Sequence, residues 1–321
     1  MDNHYELGSL ETSEELIKDL YIDLRTKVNK WSTITQQTPQ ARMGYIGQHL
    51  VSIVTGFPGG KSGARGYDLV LSPTEYGEIK TCYRVDQLGC CMNCGAPVSS
   101  LETKCARCGS ESIDRKQDSK WLITINNDDE FETVLDPKYY YLVLFEFDDI
   151  LDANDDDIIA SIWQVDPKSK GFALCMIDYY LNIRAASRSK APFNLWPYML
   201  KFYLMKPELI YRSVIKENNE ITTEVFPTLG NTYKDPIPNL ADFSRSRNLD
   251  IDTIRNAAVQ LDFTLRSNSK SDLLLEFQTA RVNNNIVNDY LCDILAEAMY
   301  MPLISDKLDL IPEKLKRIID L

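Results

Sequence analysis

Two short cysteine pairs limit how this chain can fold more than any other feature. Cys91 and Cys94, then Cys105 and Cys108, each enclose two residues, and each pair is followed directly by a glycine. Each pair offers two thiolates from one tight turn, and two such turns can close a tetrahedral all-sulfur site around Zn2+. The segment between them, 95–104, is short and polar with no core of its own, so it is expected to fold around the metal. Two disulfides or free core thiols are the alternatives. The spacing disfavours both. So does the opening Met-Asp-Asn-His-Tyr-Glu-Leu-Gly, which lacks the basic-then-apolar pattern of an export signal. A reducing cytoplasm is the expected setting. Cys90 leaves the register open, since it could replace Cys91; Cys91 gives matched pairs and is preferred.

Directly upstream runs Gly66-Tyr67-Asp68-Leu69-Val70-Leu71-Ser72-Pro73-Thr74-Glu75-Tyr76-Gly77-Glu78-Ile79-Lys80. Asp68 opens an apolar run, Ser72-Pro73-Thr74 is turn chemistry, and Glu78-Ile79-Lys80 falls on the next extended segment. Alternation along a strand puts Glu78 and Lys80 on one face and Ile79 in the core. If the two segments form a hairpin, Asp68 joins them. Two carboxylates are hard oxygen donors for Mg2+, which keeps several waters and meets substrate phosphates directly. Lys80 would stabilise developing negative charge or orient an attacking water. The trio therefore suits metal-assisted phosphodiester hydrolysis. In a chain with 26% charged residues the bare pattern is common, and two solvated strand ends are the plain alternative. The strand-turn-strand context favours the site.

Gly60-Lys61-Ser62 imitates a phosphate loop, but Thr55 stands where that motif needs its first glycine, and a strand follows instead of a helix. Nucleotide hydrolysis is excluded. Lys61 and Arg65 are better used as a basic loop touching a nucleic-acid phosphate, with an ordinary surface loop as the alternative. The formal net charge of −12 argues against nucleic acid at first sight, but distribution matters more than the sum. Asp148, Asp149, Asp152, Asp155, Asp156 and Asp157 crowd into ten residues, and setting them aside halves the acidic excess. No apolar run approaches the roughly 20 residues that span a bilayer.

Apolar periodicity predicts a helix over 13–31, with Leu16, Leu20, Leu24, Val28 and Trp31 inward and Thr12 with Glu15 as a capping box. A second helix is predicted over 41–55, where Gln48 and His49 are polar and His49 reads as solvated. Strands are expected over 121–125, 139–147 and 158–165, the middle one buried on both faces. Residues 172–183 suit a helix or a strand, and 203–215 a last extended region. Arg184, Arg188 and Lys190 precede Pro192-Phe193-Asn194-Leu195-Trp196-Pro197-Tyr198. This basic and aromatic mixture is the best candidate for groove or phosphate contact in the first two-thirds of the chain, with a core-capping loop as its equal. A proline-bearing polar stretch near 231–239 reads as a linker, followed by helices over 251–261, 271–280, 284–300 and 312–319. The expected organisation is a catalytic domain over 1–235, carrying a four-cysteine zinc ribbon inserted at 89–112, and a helical C-terminal domain over 236–321.

Taken together, Gly66-Tyr67-Asp68 and Glu78-Ile79-Lys80 resemble the active-site hairpin of the PD-(D/E)XK nuclease superfamily, with Tyr67 where the motif has proline. Ala64-Arg65-Gly66-Tyr67-Asp68, Glu78-Ile79-Lys80, the cysteine pairs and Asn194-Leu195-Trp196-Pro197-Tyr198-Met199-Leu200-Lys201-Phe202-Tyr203 resemble the MamI-type group of type II restriction endonucleases. The resemblance implies an α/β (α+β) fold, a mixed β-sheet flanked by helices, with the zinc ribbon inserted and an α-helical C-terminal subdomain. It implies Mg2+-dependent cleavage of double-stranded DNA at a short sequence, structural Zn2+ and a C2 homodimer. Members commonly carry a further acidic residue in the first helices, and Gln48 is the candidate for that place here. Two alternatives remain at this stage. One is a structure-specific repair or junction nuclease using the same triad; the other is a non-catalytic zinc-ribbon DNA-binding protein. Zinc catalysis is disfavoured, because four thiolates leave no open coordination position.

Overall fold

The computed structural model describes residues 5–35, 44–60, 67–85, 87–150, 157–186 and 190–321. The chain gathers into two compact units. The first takes Met1–Trp121, Tyr139–Gln164 and Glu208–Tyr233; the second takes Leu122–Lys138, Val165–Pro207 and Lys234–Leu321.

The first unit opens with α1 (Leu10–Leu16), a π-helical segment (Ile17–Asp23) and α2 (Leu24–Thr35) in continuous succession. Ser9, upstream of the expected capping box, starts the helix by accepting from the Thr12 N–H. The wider π turns re-phase the helix. Ile17, Tyr21 and Ile22 therefore take the buried positions, while Leu16, Leu20 and Leu24 pack at the margin of the core. Trp31, expected inward, is 62% exposed. Helix α3 (Gly44–Thr55) buries Ile46, Leu50 and Val54 as the apolar periodicity over 41–55 predicts, and Val51 besides; Met43, also expected inward, lies outside the described residues.

Strands β1 (Leu69–Val70) and β2 (Tyr76–Tyr83) form the expected antiparallel hairpin, with Leu69 opposite Gly77 and Val70 opposite Tyr76. A small sheet follows, built from β3 (Leu88–Cys91), β4 (Pro97–Ser99) and β5 (Ile113–Asp114) in the order β4-β3-β5. Its interior is Cys91, Ala96, Val98 and Cys105, too little apolar surface to hold a fold by itself. Beyond β6 (Trp121–Ile123) and α4 (Asp128–Thr133), the chain enters β7 (Tyr139–Phe147) and β8 (Ile158–Val165), both with the predicted bounds. After α5 (Lys170–Asp178), β9 (Phe193–Leu195) and α6 (Leu200–Leu204), it returns as β10 (Glu208–Ile215) and β11 (Ile221–Val225).

Among the described residues the main sheet has seven strands: six in the order β1-β2-β7-β8-β10-β11, and β12 (Tyr233–Lys234), which pairs with β10 off that path. It is mixed: β2 and β7 run parallel, while β1–β2, β8–β10 and β10–β11 are antiparallel. Strand β7 is buried from Tyr140 to Phe147, as an apolar run without alternation requires in a central strand. The core against its helix-facing side gathers Leu50, Val51, Tyr141, Val143 and Phe145.

In the second unit, residues 172–183 resolve as helix: α5 continues without a break into a π-helical segment, Tyr179–Arg184. Helix α5 is buried from Gly171 to Asp178, so its outward face meets protein instead of water. The expected extended region over 203–215 divides at Pro207 into the last turn of α6 and strand β10. Helices α7 (Ile251–Gln260), α8 (Lys270–Asn283), α9 (Asn288–Ile304) and α10 (Glu313–Ile318) complete this unit. Lys170 ties it together by pairing with Glu297 at 2.5 Å and Asp320 at 2.7 Å. No helix among the described residues is long and apolar enough to cross a membrane.

Candidate active site and metal centre

The hairpin β1–β2 and helix α3 bring four polar side chains together. Glu78 and Lys80 leave the same face of β2, and Lys80 Nζ donates to Glu78 Oε1 at 2.5 Å. Asp68, immediately before β1, turns back toward them: its Oδ2 accepts from the backbone N–H of Ile79 at 2.9 Å. Its Oδ1 accepts from Gln48 Nε2 at 3.0 Å. Gln48 reaches it because α3 lies directly on β2 at Gly47, where an added Cβ would stand 2.1 Å from Thr81 Oγ1. His49, next along α3, is exposed.

These carboxylates are held, not solvated at random. Glu78 and Lys80 each keep about a quarter of their side-chain surface open (27% and 27%). Burial raises the Glu78 carboxyl above the ordinary range, Lys80 pulls it back down, and the neighbouring Asp68 raises it again. A cation placed between the two carboxylates relieves both the burial and the repulsion. Each carboxylate oxygen has two lone-pair directions, so the bonds to Gln48, Ile79 and Lys80 leave acceptor capacity in place. The donor set fits Mg2+, which needs one or two carboxylates and fills its remaining positions with water.

Two tyrosines absent from the sequence-based site also border it. Tyr140 of β7 stands in register with Glu78, buried, and its hydroxyl is raised by burial first and then by Glu78, Tyr76 and Asp68. Tyr76 lies two residues before Glu78, so strand alternation alone could have found it. Tyr140 could not be found that way, because its place depends on which strand pairs with β2.

The second cluster lies 11 residues beyond Lys80 at its nearest cysteine. The Sγ atoms of Cys91, Cys94, Cys105 and Cys108 all lie within 4.8 Å of one another. Cys91 and Cys108 approach to 3.5 Å, and Cys94 and Cys105 to 3.7 Å. A tetrahedron with Zn–S bonds near 2.3 Å has edges of about 3.8 Å, so the four sulfurs fit Zn2+. The two turns match. Gly95 N–H donates to Cys91 O and Gly109 N–H to Cys105 O, both at 2.8 Å, with both glycines at positive φ (+68° and +71°). A residue with a Cβ is strained there, which explains the glycine after each pair. Backbone N–H groups of Cys94 and Asn93 donate to Cys91 Sγ and bring its thiol down to about 6, toward the thiolate a metal needs. Cys90 faces away from the cluster, with its sulfur 3.9 Å from Asp114 Oδ2. Cys91, and not Cys90, is the residue that joins the four-sulfur cluster.

Lys61, Arg65 and Arg188 lie outside the described residues. Arg184 donates to Ile125 O and Asn126 Oδ1, each at 3.0 Å, and Lys190 is exposed. Of the acidic stretch, Asp148 pairs with Arg212 at 3.5 Å and Asp157 with Lys216 at 2.5 Å, while Asp152, Asp155 and Asp156 lie outside the described residues.

Residues 30–240 match the family model of the MamI restriction endonuclease. The chain belongs to the MamI restriction endonuclease family. Comparison with curated proteins and with solved structures gives no match. The family match contains Gln48, Asp68, Glu78, Lys80 and all four clustered cysteines, so both clusters belong to the part of the chain the MamI family shares. Helices α7 to α10 lie beyond it.

Proposed function

We propose that this chain is a type II restriction endonuclease of the PD-(D/E)XK kind, hydrolysing phosphodiester bonds in both strands of double-stranded DNA in a Mg2+-dependent reaction. The observation that carries the reading is the convergence of Asp68, Glu78 and Lys80 on one end of the β1–β2 hairpin in a MamI-family chain. Asp68 and Glu78 would hold Mg2+. Such an ion would supply Lewis acidity toward the scissile phosphate and toward water. The chain's own groups set the geometry. Ile79 N–H and Gln48 fix both oxygens of Asp68, so the carboxylate is oriented before substrate arrives. Lys80 supplies a positive charge on the same face, where it stabilises the charge developing on the phosphoryl oxygens. Its present partner, Glu78, is the group that a cation would draw away from it.

Positive charge for other phosphates is assigned to Lys61 and Arg65, just upstream of Asp68, and to Arg184, Arg188 and Lys190. Cys91, Cys94, Cys105 and Cys108 would bind one structural Zn2+, forming the inserted ribbon over 89–112. The division into a catalytic domain over 1–235 and a helical domain over 236–321 belongs to the same proposal. So does a C2 homodimer in a prokaryotic cytoplasm, because one such site cuts one strand.

The test is incubation of unmethylated phage or plasmid DNA with the purified chain, in Mg2+ and in EDTA. Discrete, reproducible fragments that appear only with Mg2+ are expected, and their ends give the site. A smear, or nicking of branched DNA alone, would replace sequence specificity with structure specificity. Intact DNA across varied sequences in Mg2+ and Mn2+ would overturn the assignment.

A further inference from the structure

We infer that Tyr67 and Tyr76 form an aromatic platform that receives the nucleoside next to the scissile phosphate. The inference rests on the nuclease reading above and adds a binding element to it. The two rings stack with centroids 3.6 Å apart and planes 27° from parallel. Tyr67 immediately precedes Asp68, and Tyr76 lies two residues before Glu78 on the same face of β2, so the stack borders both carboxylates. Tyr76 is half-buried and held in the β1–β2 ladder opposite Val70. Beneath it the hairpin is tight against the next strand, since a Cβ on Gly77 would stand 2.8 Å from the Tyr141 ring. Tyr67, by contrast, is 55% exposed. Tyr76 stacks on one of its faces.

A lone exposed tyrosine needs no explanation. This one is fixed by a rigid partner and placed one residue from a candidate metal ligand. In the nuclease reading Asp68, Glu78 and Lys80 serve the charged part of the nucleotide, the phosphodiester. A phosphate positioned against them carries a sugar and a base on each side, and a base unstacked from the duplex presents a π-face that stacks on an aromatic ring whatever its sequence. The platform would thus position the substrate without choosing the site.

The test uses the full chain with Ca2+ in place of Mg2+ and random-sequence duplexes carrying 5-iododeoxyuridine, whose photocrosslinks report aromatic contact. The expected crosslink maps to Tyr67. Tyr67→Ala should lose it, raise the KM for cleavage in Mg2+ about tenfold, and melt as the parent does. Tyr67→Trp should restore both crosslink and KM, a rescue that a merely structural role would not give. Cleavage by the parent with no crosslink at Tyr67, and with Tyr67→Ala kinetics unchanged, overturns the platform and leaves the nuclease reading standing. A Tyr67 crosslink in a parent that cuts no DNA supports nucleoside stacking and removes the nuclease reading instead.

Discussion

The thiolate cluster and the carboxylate cluster occupy neighbouring stretches of one unit, yet they are built in opposite ways. All four sulfurs come from 18 consecutive residues, in two turns that repeat the same hydrogen bond and the same left-handed glycine. As ligands they would depend on little beyond those turns and the ion itself. The carboxylate cluster is assembled across the fold. Asp68 needs the β1–β2 ladder, Gln48 needs α3 lying flush on β2, and Tyr140 needs the parallel pairing of β2 with β7. Such a site can be oriented more finely, but it inherits every error in the packing beneath it.

The largest effect expected is at the carboxylates. Asp68→Ala or Lys80→Ala should lower the rate of DNA cleavage by about a thousandfold, with DNA binding and thermal unfolding little changed. An unfolded variant would show that the two clusters do not differ in this way. Cys105→Ser should do the reverse. Zinc per chain, read by elemental mass spectrometry, should fall to none, and amide protection should vanish over 88–114 while β7 stays protected.

A smaller loss is expected at Gln48. Gln48→Ala frees one oxygen of Asp68 without removing a ligand, so the Mg2+ concentration for half-maximal cleavage should rise about tenfold. The Glu78 carboxyl gives a pH test. Its folded-state pKa lies above the unfolded value, so its contribution to stability is full below the ordinary carboxylate pKa and is lost as pH rises through the folded value. Glu78→Gln, measured without metal, should therefore melt higher than the parent at neutral pH, and the gap should close below about pH 4. The smallest effect belongs to Cys90. Cys90→Ser should retain zinc and change stability by no more than about 0.5 kcal/mol.

The same contrast sets what could be read from the chain before folding. The cysteine spacing, the uniform apolar run of β7 and the Asp68 to Lys80 hairpin are local signals, and the structure carries each of them at the expected residues. The first helix was legible as a helix but not in phase, because a π segment leaves no mark in a 3.6-residue pattern. The break before Pro207 hid a helical turn inside a run that reads as extended, and β11 alternates over only 5 residues between polar neighbours, too few to stand out. Gln48 stood out only as a polar residue on an apolar helix; its meeting with Asp68, 20 residues away, is a product of packing.

Gly47 has one further consequence. It acts as a keyway: the missing side chain lets α3 drop onto Thr81, and that depth of seating stops the helix from sliding along the sheet. One residue of slip would advance Gln48 by about 1.5 Å and swing it by about 100°, well outside the reach of Asp68. The geometry of the whole carboxylate cluster is thus set by the width of a single methyl group, on a residue that is no part of the cluster.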